Sequence, residues 1–133
     1  MQTKTFAPIP AEVERVAKQV VDAAFQVRKE LGPGLLESVY TTCLAFELRQ
    51  HGVKVETHVA LPITYKGVSL DASLELDLLV EDSVIVELKS VESMLPVFDA
   101  QLLTYLKLTQ KRLGLLINFN VPVIKAGIKR LVM

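Results

Sequence analysis

Residues 74–90 read LELDLLVEDSVIVELKS, two strand-like runs separated by three polar residues, and no other stretch restricts the fold as tightly. In an extended strand successive side chains point to opposite faces. Leu76, Leu78 and Val80 therefore share an uncharged face, and Val84, Val86 and Leu88 do the same on the second run. The other face carries Glu75, Asp77 and Leu79 against Ile85, Glu87 and Lys89. A three-residue loop, Glu81–Asp82–Ser83, pairs Val80 with Val84 and sets Asp77 across from Glu87. A two-residue loop would put the two carboxylates on opposite faces.

Cross-strand partners have Cβ atoms about 5 Å apart. Two full charges at that distance repel by roughly 3 kcal/mol at an effective dielectric of 20. Lys89 neutralises one of them. The other needs a proton, open water or a cation. Hard divalent ions such as Mg²⁺ or Mn²⁺ take oxygen ligands of this kind, usually one or two carboxylates completed by water and substrate phosphate. The plain alternative is a solvated hairpin face with cross-strand ion pairs.

The rest of the chain supplies elements that would cover such a hairpin. From Pro10, Val13, Val16, Ala17, Val20, Ala24 and Val27 return at three- and four-residue steps, predicting a helix that closes at Leu31–Gly32. Gly32–Pro33–Gly34 forces a turn, and a second helix is expected over about 35–51. Strands follow over 55–65, with Pro62 placing an edge or a bulge, and over 68–80 and 84–90. Lys66–Gly67 reads as a hairpin turn. A third helix is expected over 96–109, a buried strand over 113–119 and a terminal strand over 128–132. The order is α-α-β-β-β-α-β with a further terminal strand.

Half of the 133 residues are hydrophobic, which excludes a disordered chain, and no repeat or low-complexity linker divides it, so one domain over residues 1–133 is expected. The longest apolar stretches are too short to cross a membrane, and MQTKTFAPIP lacks the pattern of a secretory leader. Cys43 is the only cysteine, so an intramolecular disulfide and a Cys-based zinc site are excluded. Together these point to the cytoplasm. Net charge is zero, yet unevenly spread: residues 1–92 carry nine Lys/Arg against fourteen Asp/Glu, and residues 93–133 six against one. Lys107, Lys111, Arg112, Lys125, Lys129 and Arg130 are a candidate basic flank for phosphate beside an acidic centre. An ordinary solvated surface is the simpler reading.

Other residues keep the hairpin company. Glu37 falls in the first turn of the second helix, where an acidic residue also suits the helix dipole. Gln101 and Tyr105 stand four apart on one face of the third helix. His51 ends a helix and is expected to be structural. His58 has no second His or Cys beside it, and Cys43 is expected as a small core residue.

The run Gly34-x-x-Glu37-x-x-Tyr40, within LGPGLLESVY, together with DLLVED, VIVELK, QLLTY and LGLLINF, resembles the bacterial GxxExxY protein family of the PD-(D/E)XK nuclease-like superfamily. The likeness runs from about residue 15 to the end. It implies an α/β fold: a restriction-endonuclease-like α-β-β-β-α-β core with a mixed central sheet and an extra N-terminal helix. Asp77 with Glu87-x-Lys89 matches the superfamily's defining motif, with Leu76 in place of its proline. Gln101-x-x-x-Tyr105 resembles the helix motif of exonuclease-type members. Leu74 and Glu75 stand where an aromatic and a basic residue are expected.

The resemblance implies metal-assisted hydrolysis of a phosphodiester in DNA or RNA. Asp77 and Glu87 would hold Mg²⁺ or Mn²⁺ with the carbonyl of Leu88, and Glu37 would complete the set directly or through water. Lys89 would orient or deprotonate the attacking water, Gln101 would position water or phosphate, and Tyr105 would support the helix face. A catalytically silent binding or assembly module with the same fold is the competing expectation. A homo-oligomer or a protein partner stays open under either.

Overall fold

The apolar positions at three- and four-residue steps become the buried stripe of α1 (Ala11–Leu31) in the computed structural model, with Val16, Val20, Ala24 and Val27 turned inward. The structure describes residues 6–133, so Met1–Thr5, half of the stretch read as lacking a secretory leader, lie outside it. Gly32–Pro33–Gly34 turns the chain into α2 (Glu37–Gln50). Gly34 has φ +90°, a conformation that side chains with a Cβ rarely adopt.

Three strands come next, β1 (Val55–Tyr65), β2 (Val68–Val80) and β3 (Val84–Lys89), then α3 (Pro96–Thr109), β4 (Leu113–Asn118), a 3₁₀ turn at Ile124–Gly127, and β5 (Ile128–Val132). They form one five-stranded sheet in the order β1-β2-β3-β4-β5. The β3–β4 pair is parallel and the other pairs are antiparallel, so the sheet is mixed. A parallel pair needs a long crossover, and α3 supplies it. β3 and β4 are buried on both faces, which is why VIVEL and LGLLI are almost unbroken apolar runs.

Helices cover both faces of the sheet. α1 and α2 pack on one, with Leu44, Leu48, Leu78, Val86 and Leu115 in their core. α3 packs on the other, with Leu102 and Leu106 against Ile85 and Leu116. Gly114 lets α3 come close: a Cβ there would lie 2.9 Å from Leu102 Cδ1. The result is the α-β-β-β-α-β core with an added N-terminal helix. As expected, Pro62 marks an irregularity on an edge strand, where the β1–β2 register shifts between Pro62 and Ile63.

One expectation fails. Leu76 does not share a face with Leu78 and Val80; it packs in the α3-side core with Leu79 and Ile85. Alternation breaks at Asp77, which neither the β1–β2 nor the β2–β3 register includes, and His58 on β1 has a left-handed φ of +52° in this stretch. With both residues out of the ladder the alternation is reset, and Leu76 falls in the other layer.

Candidate active site

The β2–β3 hairpin closes as its loop length requires. Val80 pairs with Val84, Leu79 with Ile85 and Leu78 with Val86. Glu81 and Asp82 take left-handed φ values, and Ser83 N–H donates to the Val80 carbonyl at 3.0 Å. Asp77 and Glu87 come next in that register, and there side chains take over from main chain. Asp77 N–H donates to Glu87 Oε1 at 3.3 Å, and Leu88 N–H donates to Asp77 Oδ2 at 2.8 Å. The two carboxyl groups thus lie side by side where the strands part. Lys89 turns its carbonyl to the β4 side, accepting from Phe119 N–H at 3.0 Å, so strand alternation turns the Leu88 carbonyl to the side of Asp77.

Glu87 is buried and Asp77 half-buried. Burial, and after it the charge of Asp77, push the Glu87 carboxyl up to about 9, with Lys89 pulling the other way. Burial raises Glu87, and two like charges side by side in poor solvation disfavour each other as well.

α3 brings the next three residues. Phe98, Gln101 and Tyr105 stand at three- and four-residue steps on one face of this helix. Tyr105 is buried, its hydroxyl raised first by burial and then by Glu87 and Asp77, while a hydrogen bond with Gln101 lowers it. Lys89 Nζ lies 4.4 Å from the centre of the Phe98 ring. This cation–π contact holds the ammonium near the carboxylates without fixing it in an ion pair. Phe98 is absent from the sequence-derived set, although its spacing ahead of Gln101 and Tyr105 was the signal for it.

Glu37 is placed differently. It is exposed in the first turn of α2 and lines a groove with Leu36, Ser38, Ser90, Glu92 and Asn120. Among the described residues no three acidic, His or Cys side chains are grouped to hold a metal ion. Through this groove Glu37 stands near Ser90, the residue that follows Lys89.

The tyrosine of the Gly34-x-x-Glu37-x-x-Tyr40 run is structural. Tyr40 is fully buried; its hydroxyl donates to the Gly32 carbonyl at 2.6 Å and accepts from Leu35 N–H at 3.1 Å. Its ring stacks on Phe119 at 4.3 Å. Ser90 Oγ donates to the Leu35 carbonyl at 2.5 Å, and buried Asn118 bonds both the N–H and the carbonyl of Val91. These contacts tie the turn before Glu37 to the end of the strand that carries Lys89. Tyr40, Ser90 and Asn118 were not singled out for this, since nothing in their local pattern names their distant partners.

The candidate basic flank is largely engaged within the chain, in keeping with the simpler reading of an ordinary solvated surface. Lys111 pairs with Asp82, Lys129 with Asp99 and Arg130 with Glu14, while Arg112 donates to the carbonyls of Ala7, Pro8 and Met133. Glu75 pairs with His58 in the open and stays off the carboxylate pair. His51 caps α2, its Nδ1 2.9 Å from the Glu47 carbonyl. Cys43 is half-buried at the edge of the core, not within it.

The chain matches the sequence profile of the PD-(D/E)XK nuclease superfamily over residues 14–131, and it belongs to that superfamily. Nucleases of the superfamily generally use divalent metals such as Mg²⁺. No curated protein and no solved structure matches the chain. Among the described residues no helix is long and apolar enough to cross a membrane.

Proposed function

We propose that this member of the PD-(D/E)XK nuclease superfamily is a Mg²⁺- or Mn²⁺-dependent phosphodiester hydrolase acting on DNA or RNA. The observation that carries the reading is the Asp77–Glu87 pair, two carboxyl groups held side by side by Asp77 N–H to Glu87 Oε1 and Leu88 N–H to Asp77 Oδ2, with Glu87 buried. Paired carboxylates suit a cation, and two carboxylates completed by water and substrate fit the way Mg²⁺ is usually held. Asp77 and Glu87 would hold the ion, with the Leu88 carbonyl beside them. The bound ion would acidify a water and stabilise charge on the phosphoryl oxygens.

The remaining roles belong to the chain. Lys89, poised over Phe98, orients the attacking water or carries its proton, and steadies charge in the transition state. Gln101, hydrogen-bonded to Tyr105, positions the water or a phosphate oxygen. Tyr105 walls the pair off from solvent on the α3 side. Glu37 is assigned an outer part, acting through water from the groove at Ser90.

Hydrolysis of single- and double-stranded DNA and RNA with Mn²⁺, compared with Lys89→Ala, tests the reading. Metal-dependent turnover lost in the variant is expected; wild-type turnover no greater than the variant's on every substrate rejects it. One observation favours a second reading, a silent nucleic-acid-binding or assembly module: Lys111, Lys129 and Arg130 are occupied by carboxylates of this same chain. That module would show metal binding without turnover.

A further inference from the structure

α2 has two apolar faces where the core uses one. Tyr40, Leu44, Ala45 and Leu48 point inward and are buried. Leu36 at its N-cap, Val39, Cys43 and Phe46, at three-, four- and three-residue steps, form a second stripe, exposed except at Cys43, which is half-buried against the core. Phe46 is 61% exposed and Leu36 74%. A helix that only covers a sheet needs a single apolar stripe.

Between this stripe and α1 runs a groove floored by Val27, Leu31, Cys43 and Phe46. Its charged lining is Glu30 and Glu47. A neighbouring groove shares Gln26 with it, passes the half-exposed Phe25, and adds Asp22. No Lys or Arg lines either groove. Elsewhere Glu12, Glu14, Asp82 and Asp99 each pair with a Lys or Arg, and within the neighbouring groove Asp22 pairs with Lys18. Glu30 and Glu47 make no ion pair among the described residues.

We propose that this groove docks a cationic amphipathic helix from a protein partner. Apolar side chains at three- and four-residue steps would enter between Phe46 and Leu31, and Lys or Arg on the flanks would meet Glu30 and Glu47. From Asp22 to Leu31 α1 offers about 15 Å of wall at 1.5 Å per residue, enough for nearly three turns of such a helix. Charge decides against a second copy of this chain as occupant: its own α2 would carry Glu37 and Glu47 into an acidic groove, and like charges across an interface are disfavoured. The proposal does not depend on the nuclease reading.

The test uses the full chain and two synthetic helical peptides of roughly four turns. Both carry leucines at three- and four-residue steps; one is flanked by lysines, the other by glutamates. Fluorescence anisotropy should show the lysine peptide binding and the glutamate peptide failing. The double variant Glu30→Lys, Glu47→Lys should reverse that preference, and Phe46→Asp should weaken lysine-peptide binding at least tenfold. Glu30 and Phe46 are exposed and Glu47 is half-buried, so unchanged melting checks that the variants fold. Binding by neither peptide, equal binding by both, or a preference that does not reverse overturns the proposal. So does a wild-type dimer in sedimentation that Phe46→Asp dissociates, which gives the groove to a second copy.

Discussion

Asp77 donates its backbone N–H to Glu87 Oε1 at 3.3 Å, one step beyond the last main-chain pair of the β2–β3 ladder. A buried carboxyl therefore sits where a ladder bond would be, and its state of charge bears on stability and on the proposed metal binding.

The metal-free protein should lose stability as pH rises. Glu87 titrates near 9 in the folded chain against about 4.5 when unfolded, so the folded state holds its proton more tightly. The stabilisation is complete below about pH 4.5 and is lost progressively up to about pH 9, by at most about 1.4 kcal/mol per pH unit. Thermal melts without metal across this window check it. Glu87→Gln should flatten the dependence, and a wild-type curve already flat would contradict the assignment.

Metal binding should run the opposite way with pH. A cation must displace the Glu87 proton, so affinity rises toward pH 9 and about one proton is released per ion. At metal concentrations near 100 times Kd the gain in stability is roughly 2.7 kcal/mol. Calorimetry in buffers of different ionisation enthalpy counts the proton. Asp77→Asn should weaken the response to metal. A melting temperature indifferent to millimolar Mg²⁺ and Mn²⁺ would tell against the site.

Lys89→Ala should reduce hydrolysis by about 10²–10⁴ while metal affinity stays or rises, because the variant removes a positive charge from beside the carboxylates. Phe98→Leu should lower the rate less, since it frees the ammonium without removing it; a cation–π contact is worth about 0.5–2 kcal/mol. Single-turnover rates and metal titrations on both variants separate chemistry from binding. Equal losses of metal affinity and of rate in Lys89→Ala would argue against a role in the chemical step.

Tyr40→Phe should keep the stack on Phe119 but leave the Gly32 carbonyl and the Leu35 N–H without their partner. Gly32 is half-buried and Leu35 exposed, so water can reach the freed groups and the loss is that of ordinary hydrogen bonds, about 0.5–1.5 kcal/mol, which denaturant unfolding should register. An unchanged midpoint would mean that the turn before Glu37 finds other partners.

Much of this protein was legible because it is local. Helical stripes, strand alternation and a three-residue loop are set by neighbours in the chain, so element order and the Asp77–Glu87 juxtaposition followed from residues 74–90 and their flanks. The α3 face was legible for the same reason, through the spacing of Gln101 and Tyr105.

Packing decided the rest, because it depends on distances between residues far apart in sequence. The burial that raises Glu87 comes from a sheet covered on both faces. Lys89 rests on Phe98 only because α3 crosses back over β3. Leu76 changed face where the β2 ladder skips Asp77, which alternation alone does not reveal. Lys111, Lys129 and Arg130 lost their availability to carboxylates 29, 30 and 116 residues away. Tyr40 became a structural pin through Phe119, and Glu37 was left facing the groove at Ser90. By itself the sequence determined which polar residues fall together on the hairpin and on one face of α3; only the tertiary structure decided which of them meet, since charge, burial and reach are set by the elements that close around each side chain.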